Sequence, residues 1–82
     1  MKQEITAETV VAMLQEEGIA DLPGDFSAEG NLFEAGMDSM AVMQLIVVIE
    51  ERYGAVIEPS DAGRENLGTP AAMARLISSK IA

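Results

Sequence analysis

The chain has 82 residues, enough for a single modest core and so for one domain, residues 1–82. It contains neither cysteine nor histidine. That excludes a disulfide framework, a thiolate nucleophile, cysteine- or imidazole-ligated metal and the commonest general base, so no catalytic residue and no metal site is expected. With 14 acids against 5 bases the formal net charge is −9, and eleven of the acids fall between Lys2 and Arg52, a span with no base at all. Such a surface repels nucleic acid and anionic lipid and steers basic protein surfaces toward it; acidity that only maintains solubility is the plain alternative.

The start Met1-Lys2-Gln3-Glu4 does not read as a basic region followed by an apolar leader, and the longest apolar stretch, Leu45 to Ile49, is far too short to cross a bilayer. A soluble, cytoplasmic protein is expected. From Thr6 to about Glu17, Ala7, Val10, Val11 and Leu14 recur at helical spacing, with Thr6 as N-cap, Glu8 in the first turn and Gly18 as the stop.

Ile19 to Met37 holds Pro23, three glycines and scattered acids without a sustained period, and so reads as a long irregular connection. Leu22, Phe26, Leu32 and Phe33 are the apolar anchors that would pin it across a helical core.

A second helix begins at or next to Ser39 and runs to about Tyr53, with Gly54 closing it. Leu45, Ile46, Ile49 and Tyr53 form its expected core face; Met40, Met43 and Val47 fall on a neighbouring face that this stripe does not cover. The β-branched run Ile46 to Ile49 is compatible with a strand, but the helical period of its flanks and the lack of a pairing strand favour a helix. Beyond it, Ser60 to Glu65 allows one or two short helical turns. Thr69-Pro70 is an N-cap with proline at the first helical position, opening a last helix with Met73, Leu76, Ile77 and Ile81 on its apolar face and Arg75 and Lys80 toward its C-terminal end. The expected fold class is all-α, a small four-helix bundle of three main helices plus one short helix.

Chemistry concentrates in Glu34-Ala35-Gly36-Met37-Asp38-Ser39-Met40, where the loop becomes a helix. A serine at such a junction can simply cap backbone N–H groups. Asp38 can do that equally well, which leaves the Ser39 hydroxyl free, and Gly36 permits a tight turn just before. Met37, Met40 and Met43 bracket the serine with soft side chains, suited either to core filling or to a docking face for several partners.

The segment Gly36-Met37-Asp38-Ser39-Met40 resembles the Gly-x-Asp-Ser-Leu signature of acyl and peptidyl carrier proteins, with methionine in the leucine position. Asn31-Leu32-Phe33 before it, Glu50-Glu51-Arg52-Tyr53 at the end of the second helix and Thr69-Pro70 at the start of the last one are also similar to the family, so the resemblance spans the chain. It implies a carrier without an active site. A separate phosphopantetheinyl transferase, using magnesium, would move 4′-phosphopantetheine from coenzyme A to Ser39, with Asp38 holding the junction. The thiol of that arm would carry acyl or aminoacyl groups as thioesters to activating and condensing enzymes. The resemblance also implies a partner-binding face of Met37, Met40, Met43 and Val47 with an acidic rim at Glu50 and Glu51, and with Ile57 and Ala62 across the groove.

Fatty-acid carriers usually place acids early in the second helix, where this chain has Ala41, Val42 and Gln44. A more apolar face near the serine, and a specialised polyketide, nonribosomal-peptide or other dedicated acyl pathway, are therefore expected, with a free-standing monomer as the carrier. The rival reading is a small acidic helical adaptor in which Ser39 is a helix cap or a phosphorylation site, since phosphate at a helix start is also favourable. A calcium loop is excluded, because Asp21, Asp25, Glu29, Glu34 and Asp38 lack the alternating ligand spacing.

Overall fold

A computed structural model describes residues 4–81 of the chain; residues 1–3, which belong to the segment read as lacking a leader, lie outside it. Four α-helices follow one another: α1 (Ala7–Glu16), α2 (Ser39–Tyr53), α3 (Arg64–Leu67) and α4 (Pro70–Ile81), with a 3-10 turn at Pro59–Asp61 before α3. There is no strand among the described residues. The architecture is the expected all-α bundle of three main helices and a short one.

Each main helix starts on the residue its local chemistry favours. Thr6 Oγ1 accepts the Thr9 N–H at 3.1 Å and Thr69 Oγ1 accepts the Ala72 N–H at 3.1 Å, in each case satisfying one of the N–H groups that a helix start leaves unpaired. Helix α2 closes at Gly54, whose φ of 70° is open to glycine at little cost and lets its N–H reach the Glu50 carbonyl at 2.9 Å.

The core is apolar throughout, and no polar or charged residue is buried among the described residues. Val10, Met13 and Leu14 of α1 meet Met73 and Ile77 of α4 within it, and α4 also packs against α2 and α3. On α2 the buried face is Ala41, Leu45, Val48 and Ile49, while Ile46 and Tyr53 are half-buried at its edge. This corrects the expected stripe. Because Ala41 and Val48 lie on the side of Leu45 and Ile49 away from Ile46, the helix is turned slightly from the orientation read from bulk hydrophobicity alone.

The long connection is held as its anchors imply. Leu22 and Leu32 are buried, and Phe26 and Phe33 pack half-buried against the core. Its backbone is tied as well: the Leu32 N–H donates to the Gly68 carbonyl at 2.8 Å, the Ala71 N–H to the Ala28 carbonyl at 2.9 Å, and Gln15 Nε2 to the Leu22 carbonyl at 2.8 Å. Leu32, just ahead of the serine segment, is thereby fixed to the junction between α3 and α4.

Two ionic ties hold surface elements together. Arg52 reaches from the end of α2 to Glu16 at 3.2 Å and Glu17 at 3.4 Å, at the end of α1. Lys80 binds Asp61 at 2.7 Å, fastening the 3-10 turn to the last turn of α4. The Lys80 hydrogen bond holds the Asp61 carboxyl below its ordinary range, and the same bond raises Lys80. The stabilisation from Asp61 is therefore present above the unfolded carboxyl's pKa and is lost as pH falls through the lowered one.

Candidate functional site

The candidate site is built by a short run of backbone turns. Asn31 Oδ1 accepts the N–H groups of Phe33 at 2.9 Å and Glu34 at 3.1 Å, reversing the chain directly beside the buried Leu32. Gly36 follows at φ 113°, a conformation that side chains rarely tolerate. The Met37 N–H then returns to the Leu32 carbonyl at 3.0 Å. This closure sends the Met37 side chain inward, where it is 1 % exposed.

Asp38 is the N-cap of α2: its backbone is extended, and Oδ1 accepts the Ala41 N–H at 2.9 Å. Ser39 is therefore the first helical residue. It is exposed and takes no part in the cap. Its hydroxyl stands at the positive end of a fifteen-residue helix, a setting that favours an anion attached there. Removing the cap has a predictable cost: Asp38→Ala is expected to lower stability by about 1 kcal/mol, read as a reduced denaturant midpoint in urea unfolding.

Beside Ser39 opens a cleft of about 540 Å³, lined by Phe33, Asp38, Ser39, Val42, Ala62 and Arg64 among others. Along α2, Met40, Met43 and Val47 are 78 %, 70 % and 56 % exposed. Glu50 and Glu51 are exposed beyond them. At 100° per residue these five positions share one side of the helix, over roughly 17 Å from Met40 to Glu51. Because Arg52 turns to the acids of α1, it stands apart from Glu50 and Glu51 and leaves that end of the stripe acidic.

Not every residue singled out in the sequence belongs to this surface. Met37 and Ile57, read as members of the partner-binding face, are core residues at 1 % and 5 % exposure, although Met37 also lines the cleft from below. Met37 is drawn in by the Gly36 turn. Ile57 lies in the extended stretch after α2, where side chains alternate, so Ala55 and Ile57 go in and Val56 comes out at 57 % exposure. Ala62 does reach the cleft, half-buried. Ala41 is buried, Val42 lines the cleft and Gln44 Nε2 donates to the Glu17 carbonyl at 3.4 Å, so the apolar exposure near Ser39 comes from Met40 and Met43. Arg64 carries no local signal in the sequence, and only folding brings it to Ser39's cleft.

Comparison with known proteins bears directly on this arrangement. The family model described as the phosphopantetheine attachment site matches residues 8–77, from the first turn of α1 into the last turns of α4. The chain belongs to that family. It is thus an acyl or peptidyl carrier protein, of the group to which 4′-phosphopantetheine is covalently attached. The carrier is also 37 % identical over 73 residues to the lincomycin biosynthesis protein LmbN of Streptomyces lincolnensis. That match covers 88 % of the carrier but spans about a quarter, 26 %, of the relative's length. No solved structure matches the carrier significantly. The residues around the cleft fit the arm that the family carries: an exposed hydroxyl at a helix start, free of capping duty, beside an open space walled partly by apolar side chains. Among the described residues there is no cluster of three or more acids that could hold a metal, and no helix is long and apolar enough to cross a membrane.

Proposed function

We propose that Ser39 is the attachment residue and that this carrier holds acyl or aminoacyl groups as thioesters for partner enzymes. The observation that carries the reading is the division of labour at the start of α2, where Asp38 caps the helix and Ser39 is left exposed. In the loading step the Ser39 Oγ–phosphorus bond forms as the pyrophosphate bond of coenzyme A breaks. The adenosine bisphosphate half leaves, and the hydroxyl proton passes to a base on a separate transferase that uses magnesium. Once attached, the arm brings the thiol that a cysteine-free chain lacks. The carrier itself has no catalytic role in this reading: Asp38 holds the junction, and the helix start favours the attached phosphodiester.

The relative from Streptomyces lincolnensis is a lincomycin biosynthesis protein, which supports a specialised natural-product pathway for this chain, of polyketide, nonribosomal-peptide or other dedicated acyl type. The lack of acids early in α2 points the same way. The partners are a phosphopantetheinyl transferase and acyl- or aminoacyl-activating and condensing enzymes, met in turn by a monomer.

Incubation with coenzyme A, magnesium and a broad-specificity transferase is expected to add the mass of one phosphopantetheine. No gain with several such transferases would sink the proposal.

Partner docking engages the stripe from Met40 to Glu51, apolar near Ser39 and acidic at its far end. Replacing Glu50 and Glu51 with lysine should raise KM for the transferase about tenfold at low salt and only about twofold at high salt, because exposed charges act at long range and are screened. Steady-state kinetics at two ionic strengths test this. An unchanged KM at both ionic strengths would assign recognition to the apolar part alone.

A further inference from the structure

Four of the five bases lie among the described residues, and two of them are tied to acids: Arg52 to Glu16 and Glu17, and Lys80 to Asp61. Arg64 makes no ion pair there. Its guanidinium instead lies over the ring of Phe33, with Cζ 5.0 Å from the ring centroid. A guanidinium over a ring face is attracted to it electrostatically, while the N–H groups around its edge stay available as donors.

Phe33 and Arg64 line the same cleft as Ser39. Of the residues lining it, Asp38 alone is acidic, and its Oδ1 already receives the Ala41 N–H. A chain with a net charge of −9 thus places one cation in the cleft that its candidate attachment hydroxyl also lines. An anion bonded to Ser39 Oγ would lie within a generally repulsive field, and Arg64 is the cleft's own counterweight to it.

We infer that Arg64, on its Phe33 platform, is a positioning residue that holds the arm's phosphodiester at Ser39. This rests on Ser39 being the attachment residue. The phosphodiester is a permanent monoanion with two unesterified oxygens, the geometry a guanidinium fork matches with paired charge-assisted hydrogen bonds. Held there, the first part of the arm lies in the cleft along Val42 and Ala62 instead of swinging freely in solvent. A carboxylate on the cargo has the same chemistry for Arg64, but it sits at the far end of the arm, whereas the phosphorus is bonded directly to Ser39. The arm without cargo separates the two sources.

The test uses the full chain, carrying the arm without cargo, as the parent and as Arg64→Ala, Arg64→Lys and Arg75→Ala. Loading is checked by intact mass and folding by circular dichroism. Phosphorus NMR of each form is then recorded at low and high salt. Arg64→Ala is expected to shift the phosphorus resonance and narrow its line, and Arg64→Lys to give an intermediate shift. Arg75→Ala, which removes an exposed base that does not line the cleft, should change neither. High salt should move the parent toward the Arg64→Ala spectrum. A fully loaded parent whose phosphorus signal matches that of Arg64→Ala overturns the role of Arg64 and leaves the attachment reading standing. A change that appears only after acylation with a carboxylate-bearing cargo also overturns it, in favour of cargo recognition. Failure of the parent to load overturns both.

Discussion

Ser39→Ala is expected to accept no phosphopantetheine and to keep the helical content of the parent. Attachment needs a hydroxyl oxygen that forms the bond to phosphorus, and alanine offers none, so the mass gain should fall from complete conversion to zero. Folding should be indifferent to the change. The cap bond of α2 runs from the Ala41 N–H to Asp38 Oδ1, and Ser39 occupies the first helical position, exposed to solvent. Alanine is at least as good as serine within a helix, so stability should change by less than about 0.5 kcal/mol. Intact-mass measurement and far-UV circular dichroism on the same sample give both answers. Residual loading of the variant would place the arm on another hydroxyl. A large loss of helicity would return Ser39 to the role of a structural cap.

The second large effect separates three methionines that look equivalent in the sequence. Met37→Ala is expected to destabilise the fold by about 2–5 kcal/mol, the range for truncating a buried large side chain. Met40→Ala and Met43→Ala should each stay within about 0.5 kcal/mol, as is usual for exposed positions. In a domain of this size the Met37 loss corresponds to a drop in Tm of about 8–40 °C. The reason is placement. Met37 is 1 % exposed beneath the Gly36 turn, and Met40 and Met43 are 78 % and 70 % exposed on the outer side of α2. Thermal unfolding of the three variants decides the matter. An unchanged melting temperature for Met37→Ala would mean that its side chain is not part of the core. Docking should show the reverse order, with Met40→Ala and Met43→Ala weakening transferase binding.

Much of the fold could be read directly because it depends on short-range chemistry. Thr6, Asp38 and Thr69 cap because their oxygens are a few atoms from the N–H groups they satisfy, and Gly54 ends α2 because its φ of 70° suits glycine. The anchors of the long connection were also legible, since Leu22 and Leu32 are large apolar groups in an otherwise polar stretch. What the sequence left ambiguous was direction. Hydrophobicity cannot tell Met37 from Met40, because both are apolar and both flank the same serine. The inward turn at Met37 depends on Gly36 and on the bond back to Leu32. Ile57 misled for a similar reason, since the parity of an extended segment is set by where it leaves α2.

By itself the sequence determined an all-α acidic chain without its own thiol or imidazole, the approximate limits of its main helices and an Asp38-Ser39 junction at the start of the second helix, with either residue able to cap. Those follow from residue type and from contacts within about one helical turn. Only the tertiary structure decided that Met37 and Ile57 are core, that Asp38 caps α2 and leaves Ser39 exposed, that α2 turns Val48 inward ahead of Ile46, that Arg52 is taken up by α1, and that Arg64 lies over Phe33 in the cleft that Ser39 lines. Each of these depends on residues far apart in the chain, brought together by burial of apolar surface that has no direction until the helices pack.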